Sequence, residues 1–295
     1  MFVVDLKTGT KLRTFTTSAG TPATPSGLAH ISGYTRDHRN QYVEQVYAGD
    51  LLGNLWRFDL SNPDPSLWQQ NVTEPLARFS IGGTVQPITA PPQIEVDIAN
   101  GVDRWVFVGT GRLLDSADLE ATSAQTMYAI RDGTATTPKP ITAAVTRASS
   151  GMLAVAGKDS LASKPLNGWY DDLPAGQRIV TPVQAEASIV AYAASRPQTD
   201  PCLPGQPATL YAREYSKGGS RLQDSGGTVV ESIDIEEGAA GIELIALQSL
   251  AATASGIPEI RLSVTQLKDG ALRTFKLSLP PLVARHRMSW RLIRD

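Results

Sequence analysis

The chain has 295 residues, and its 27 lysines and arginines against 29 aspartates and glutamates give a formal net charge of −2. A balance of this kind lacks the clustered basic charge of a nucleic-acid-binding surface. No run approaches the roughly 20 consecutive apolar residues of a membrane span. The single cysteine, Cys202, excludes an internal disulfide and a thiolate-rich zinc site.

The N-terminal sequence, MFVVDLKTGT, predicts a strand that runs into a turn. It has neither the basic region nor the long apolar core of a signal peptide. Because a domain rarely opens in mid-strand, we expect the chain to be the C-terminal piece of a longer protein. The 25 glycines and 20 prolines favour strands and tight turns over helices.

Four segments share one outline, in which an apolar run with an aromatic residue is followed by an acid and a glycine-bearing turn. They are Phe2–Gly9, Asn54–Asp64, Thr126–Gly133 and Thr209–Gly219. Val46–Gly53 and Trp105–Asp115 are the partner runs of two of them, as in β-hairpins. Repeated units that cannot cover their own apolar faces predict an all-β propeller of stacked blades, with a β-sandwich of hairpins as the alternative.

The polar run Gly33–Asp50 holds Asp37, Asn40 and Glu44, three residues that could supply oxygen ligands to calcium. Arg36 and Arg39 lie among them and would oppose a dication at close range. The residues alone therefore leave a calcium site and a polar surface loop open.

The stretch VYAGDLLGNLWRFDLSNPDP follows directly. Asp before a short glycine-containing turn accepts backbone N–H bonds, and glycine or asparagine tolerates positive φ. We therefore predict a structural turn that delivers Trp56 and Phe58 to a core, not a catalytic acid. The residues of this motif are Gly49, Asp50, Gly53, Asn54, Trp56 and Asp59.

Farther along, residues 134–166 have no clean period and are predicted to form an insertion or loop, with a short helix left open. Ile260–Leu279 alternates over two runs around Lys268-Asp269-Gly270, which predicts a hairpin. The glycines Gly109–Gly111 predict a strand turn, because the wider phosphate-loop fingerprint is missing. The adjacent carboxylates Asp171-Asp172 and Glu236-Glu237 are predicted to be solvated.

Several motifs together resemble the C-terminal β-propeller domain of the PilY1 family of type IV pilus biogenesis factors and pilus-tip adhesins. They occur in the family's order and are FVVDLKTG, VYAGDLLGNLWRFDLS, VFVGTGRLLDSAD with QTMYAIRDG, GWYDDLPAGQRIVTP, RPQTDPC and RMSW. The resemblance implies that residues 1–295 are the C-terminal portion of a seven-bladed propeller. The family's N-terminal region has no counterpart in the sequence.

The resemblance also implies a function without catalysis: support of pilus assembly, surface adhesion and twitching motility. The implied partners are major and minor pilins and host surface receptors. The implied location is the cell surface, at the pilus tip or the outer membrane, after export through the periplasm. A family calcium loop would place its clamping carboxylate at Glu44 and another ligand at Asn40. His38 and Arg36 depart from that pattern, and Asp37 is one position out of step, so a shifted set of Asp37, Asn40 and Glu44 is the version to test.

Two other readings stay open from the sequence. Quinone-dependent dehydrogenases also repeat aromatic-Gly-Asp blade motifs, and the chain could be a truncated gene remnant. A partial propeller further predicts an uncovered apolar flank on the first unit.

Overall fold

The structure, a computed structural model, describes residues 1–37, 39, 42–98, 101–198, 206–247 and 259–278. Its regular secondary structure is almost entirely β, with one short 3-10 helix at Pro65–Leu67 and one four-residue α-helix, α1, at Ala117–Glu120 among those residues. The strands, in chain order, are β1 (Phe2–Val4), β2 (Lys11–Thr14), β3 (Thr16–Thr17), β4 (Ile31–Tyr34), β5 (Gln45–Gly49), β6 (Asn54–Asp59), β7 (Asn71–Val72), β8 (Ala77–Arg78), β9 (Ser80–Ile81), β10 (Thr84–Val85), β11 (Gln93–Asp97), β12 (Asp103–Gly109), β13 (Thr126–Thr134), β14 (Met152–Ala154), β15 (Gly168–Asp172), β16 (Gln184–Glu186), β17 (Ile189–Ser195), β18 (Ala208–Glu214), β19 (Ile233–Ile235), β20 (Ala239–Leu247), β21 (Glu259–Gln266) and β22 (Leu272–Lys276).

The larger sheets follow one another along the chain as propeller blades. The first blade has the order β4-β5-β6-β8, and the third has the order β16-β17-β18-β19. The second blade, β11-β12-β13-β15-β14, gains its fifth strand from β14, which pairs parallel to β15. The last sheet is β20-β21-β22. The predicted all-β propeller architecture is confirmed.

The core lies in the joints between consecutive blades, because their central strands bury both faces. In β12, Trp105 and Phe107 pack toward the third blade, while Val106 and Val108 pack toward the first. In β17 the alternation is the same: Val190 and Tyr192 face the second blade and their neighbours face the last sheet. A strand buried on both faces can only sit between two other sheets, and this forces the blades to stack.

Three of the four repeated segments lie on central strands of the blades, and the antiparallel pairs predicted for two of them, with Val46–Gly53 and Trp105–Asp115, are present. β5 pairs with β6 from Gln45–Asp59 to Gly49–Leu55, and β12 and β17 pair in the same way with β13 and β18. The predicted C-terminal hairpin is also present, with β21 antiparallel to β22 and Gly270 at a φ of +72° in its turn.

The first of the four repeated segments has a different place. β1 pairs only with β2, and the small sheet that they form lies over the outer face of the first blade, where Val3 contacts the cluster around Phe15, Trp56 and Phe58. The opposite face of β1 is open, with Phe2 68% exposed. The N-terminal segment thus presents the exposed apolar flank that was predicted for the first unit.

The stretch 134–166 forms no helix, and at Val145 it pairs with Ala77 of the first blade. It passes through turns and then contributes β14 to the edge of the second blade. Cys202 and the RMSW motif lie outside the described residues. No helix among the residues that the structure describes is long and apolar enough to cross a membrane.

Candidate functional site

Asp50 is the centre of the turn that joins β5 to β6, and it is fully buried. Its Oδ1 accepts hydrogen bonds from the backbone N–H groups of Leu52 at 2.9 Å and Asn54 at 2.8 Å. Its Oδ2 accepts from Asn54 Nδ2 and from Trp56 Nε1, both at 2.9 Å. Every contact is with a donor, so the carboxylate is used to hold the turn and the buried tryptophan in place.

The two glycines beside this turn serve different purposes. Gly53 has a φ of +75°, and an added Cβ would lie 2.5 Å from the backbone oxygen of Phe79. Gly49 was predicted to be glycine because the turn needs a conformation that other residues rarely adopt, but its φ is not positive. Instead, a Cβ at position 49 would lie 2.1 Å from Ile88 Cγ2, so the side chain is excluded by close packing.

The aromatic residues that the motif carries are buried as predicted. Trp56 and Phe58 lie on β6 in the cluster between the first blade and the N-terminal sheet. Phe58 makes an edge contact with Phe15, at 5.4 Å between ring centroids. Asp59 is exposed and accepts a hydrogen bond from Ser61 N at 2.9 Å, so it caps the next turn.

The predicted calcium ligands belong to the segment between β4 and β5 of the first blade. Glu44 is ion-paired with Arg36 at 3.1 Å, and Asp37 lies 3.6 Å from the guanidinium of Arg39. Asn40 lies outside the described residues. No group of three metal-ligating side chains occurs among the residues that the structure describes. A calcium ion would fit these donors only after the Arg36–Glu44 pair opens, so the calcium site stays a prediction.

A polar chain that the sequence analysis missed recurs at two joints. At the first joint, Gln86 Nε2 donates to Thr126 Oγ1 at 2.8 Å, and that hydroxyl donates to Asp172 at 2.8 Å. The hydroxyl of Tyr128 closes the chain on Gln86 Oε1 at 2.6 Å.

The second joint, between the second and third blades, repeats this chain one blade later. Gln177 Nε2 donates to Thr209 Oγ1 at 2.8 Å, and Thr209 donates to Asp234 at 2.8 Å. The signal was in the sequence: the third strand of each blade carries Thr-x-Tyr near its start, at Thr126–Tyr128 and Thr209–Tyr211. Each glutamine stands two residues before an isoleucine, Ile88 or Ile179.

Those isoleucines make a second repeated contact. Ile88 N donates to Asp50 O, and Ile179 N donates to Thr110 O, each at 3.0 Å. An added Cβ at Gly109 would lie 2.2 Å from Ile179 Cγ2, which matches the contact of Gly49 with Ile88. The Gly109–Gly111 turn therefore belongs to the blade joint.

Charged groups are also buried in the joints. Asp171 is 5% exposed, so the prediction that it is solvated was wrong. It lies 2.7 Å from Arg213 Nη2 and accepts the hydroxyl of Tyr192 at 2.5 Å. Burial raises the pKa of the Asp171 carboxyl, and the positive charge of Arg213 works against that rise. Its neighbour Asp172 faces the other way and pairs with Arg147 at 2.6 Å.

A comparable group occupies the first joint. Asp132 is fully buried, forms an ion pair with Arg57 and accepts the hydroxyl of Tyr47 at 2.6 Å. Burial, with the charge of Asp132 as the next cause, raises the pKa of Tyr47. Arg104 donates to that hydroxyl at 3.1 Å and stacks 3.8 Å from the ring of Tyr34. These contacts run between strands of the first and second blades and hold the two sheets together.

One acid on the first strand of the second blade has a raised pKa. Glu95 lies on β11, the first strand of the second blade, and burial raises its pKa to about 7. Gln93 Nε2, at 3.3 Å, opposes the rise, and the negative charge of Glu186 on β16 adds to it.

Comparison with known proteins gives consistent results. A family model described as the PilY1 beta-propeller domain matches residues 1–158. A type IV pilus biogenesis factor PilY1 homolog of Xylella fastidiosa is 26% identical over 251 residues, covering 75% of this chain and 17% of that protein. The PilY1 of Pseudomonas aeruginosa PAO1 is 28% identical over 269 residues, covering 74% of this chain and 23% of that protein. The chain spans less than a quarter of the length of these curated relatives.

The fold has a solved counterpart. The crystal structure of the Pseudomonas aeruginosa PilY1 C-terminal domain matches with a TM-score of 0.67 and 21% identity, covering 95% of this chain and 66% of that one. At this identity the match shows the fold alone.

Proposed function

Because the chain belongs to the PilY1 β-propeller family, we propose that it is a non-enzymatic scaffold of type IV pilus biogenesis. It acts through contacts with major and minor pilins at the cell surface, at the pilus tip, and contributes to adhesion and twitching motility. The observation that carries the proposal is the family match over residues 1–158, a range that includes the Asp50 turn and the whole first blade. The names of the relatives support the pilus role.

The arrangement of buried acids fits a scaffold. Asp50, Asp132 and Asp171 each have donors around them from the turn or the neighbouring blade. Their charge is used to position sheets, and a rigid stack of sheets presents loops and edges to protein partners.

The test is a graft into a piliated bacterium. In a Pseudomonas aeruginosa strain that lacks PilY1, a chimeric PilY1 is expressed in which this chain replaces the segment that aligns with it. The amount of pilin sheared from the surface and the size of the twitching zones are then measured. We expect both to be restored, and restored again with the exposed Asp59→Ala change, but lost with Asp50→Ala. A graft that is exported and protease-resistant but leaves the strain without pili would overturn the proposal.

The non-enzymatic part has its own test. Dye-linked oxidation of alcohols is measured with the purified chain, with and without added quinone. We expect rates equal to those of the buffer, whereas quinone-dependent turnover would overturn this part and favour a dehydrogenase-like propeller.

A further inference from the structure

The last sheet has an open edge. Among the described residues it contains three strands, β20-β21-β22, where the first and third blades have four. β22 lies at its edge, and four of its five residues are exposed. An edge strand presents unpaired backbone groups to which another extended segment can add.

The hydrogen-bond pattern shows which groups of β22 face outward. Leu277 N donates to Ile260 O, so the backbone N–H and C=O groups of residues 277, 275 and 273 face β21. The backbone groups of residues 276, 274 and 272 therefore face away from β21. The outward edge is already paired at one end, where Gln223 N donates to Lys276 O at 3.2 Å. In the described part of the chain, no hydrogen bond reaches the outward backbone groups of Leu272 and Thr274.

A groove of about 750 Å³ runs beside this open part of the strand, between β22 and the 223–227 turn. Its apolar surface comes from Ile233 and Phe275, both half-buried against the core of the last joint. Lys276 gives it an exposed positive charge. The acid on its other wall, Asp224, is used by its own turn, where it accepts from Gly226 N at 2.9 Å.

We propose that this groove binds an extended peptide, which adds to β22 as a further strand. An apolar side chain of the peptide covers Ile233 and Phe275, and a carboxylate lies beside Lys276. Backbone pairing supplies affinity in this mode of recognition, and the pockets for alternate side chains supply specificity. The proposal does not depend on the pilus role.

Charge complementarity selects an acidic occupant. The chain's own residues 279–295 contain four arginines and one aspartate, so their net charge has the same sign as Lys276. A second copy that paired through β22 would bring further like charges, from Arg273 and Lys276, to the same edge.

The test uses the full chain and a fluorescein-labelled nine-residue peptide of alternating threonine and valine with one central glutamate. Binding is read by fluorescence anisotropy at low salt. A peptide with lysine in place of the glutamate is expected to bind roughly fivefold more weakly, as for an exposed ion pair. Lys276→Glu should reverse that preference. Equal binding of the two peptides, or none of the glutamate peptide, would overturn the proposal.

A backbone variant separates strand addition from simple charge attraction. Thr274→Pro removes an outward N–H and leaves the ladder with β21 intact, so peptide binding should be lost with the melting temperature unchanged. Thr274→Val is the matched control and should bind as the wild type does. A peptide N-methylated along its pairing edge should not bind, and equal binding of this peptide would sink strand addition even if the proline variant misfolds.

Hydrogen–deuterium exchange of the free chain distinguishes the other occupants. The amides of Leu272 and Thr274 should exchange fast without peptide and slowly with it. Slow exchange without peptide would mean that the edge is already covered, by residues 279–295 in a monomer or by a second copy if light scattering gives a dimer. Either result would overturn the proposal.

Discussion

Replacing Asp50 by alanine should cost the first blade about 3–5 kcal/mol of stability. The change leaves four donors without their acceptor: the N–H groups of Leu52 and Asn54, the amide of Asn54 and the indole of Trp56. The Leu52 N–H is half-buried and can bond to water, but Asn54 and Trp56 are buried. A buried donor that loses its partner costs about 1–3 kcal/mol, and three such donors with partial relaxation give the range stated.

A graded series separates the hydrogen bonds from the volume of the side chain. Asp50→Asn keeps an oxygen for the backbone donors but turns an NH2 group toward Asn54 Nδ2 and Trp56 Nε1, and should cost about 2–3 kcal/mol. Asp59→Ala removes a single exposed turn bond and should stay within about 0.5 kcal/mol of the wild type.

Two measurements read the effect. Guanidinium unfolding followed by tryptophan fluorescence gives the free energy of unfolding, and native-state hydrogen exchange of the β5–β6 amides gives the free energy of local opening. An Asp50→Ala protein within about 1 kcal/mol of the wild type in both would refute the view that this carboxylate organises the turn.

Three further predictions concern packing, proton binding and metal binding. Gly49→Ala should cost about 1–3 kcal/mol in guanidinium unfolding because its Cβ overlaps the neighbouring blade, while Gly241→Ala, with open space around it, should be neutral; equal effects would contradict the packing argument. Glu95 has a folded pKa raised to about 7, so its ionisation destabilises the folded state as the pH rises from the usual carboxyl range to 7; Glu95→Gln should therefore gain about 2 kcal/mol on the wild type between pH 5 and pH 8, and a pH-independent difference would contradict this. Calorimetric titration of calcium should show weak binding, with a dissociation constant of about 10⁻⁴–10⁻³ M, that is lost in Glu44→Ala and strengthened in Arg36→Gln; no heat at millimolar calcium would remove the predicted site.

The blade hairpins could be predicted because their signals are local. The sequence signal of the β5–β6 hairpin lies within 15 residues, as two apolar runs on either side of a Gly-Asp turn. The signal of the β21–β22 hairpin is Asp269-Gly270 between two alternating runs. The burial of Trp56 followed from the same pattern, because an aromatic residue on a central strand needs a covering sheet.

The contacts between blades could not be predicted in the same way, because their partners are distant in sequence. Asp171 was expected in solvent, and the arginine that accompanies its burial is 42 residues farther on. The hydroxyl that contacts Asp132 comes from 85 residues earlier. Gly49 looked like a turn residue because its steric constraint, the side chain of Ile88, lies 39 residues farther on, in the segment that leads into the next blade. A single sequence shows that such residues exist but not which of them meet.

The repeated joint explains why these distant contacts matter to a stack of sheets. Apolar burial is not directional, so two flat hydrophobic faces could slide past each other at little cost. At two consecutive joints a glycine receives an isoleucine from the segment that leads into the following blade, and a glutamine of the same segment bonds to a threonine on the third strand of that blade. Both contacts require one distance between the two sheets and one relative position of their strands. The glycine leaves room for a single side chain, and a displaced glutamine would lose its hydrogen-bond partners in an interior without water. The joints thus convert a series of hairpins into blades with fixed positions, and fixed positions let loops and edges far apart in sequence form one surface for a protein partner.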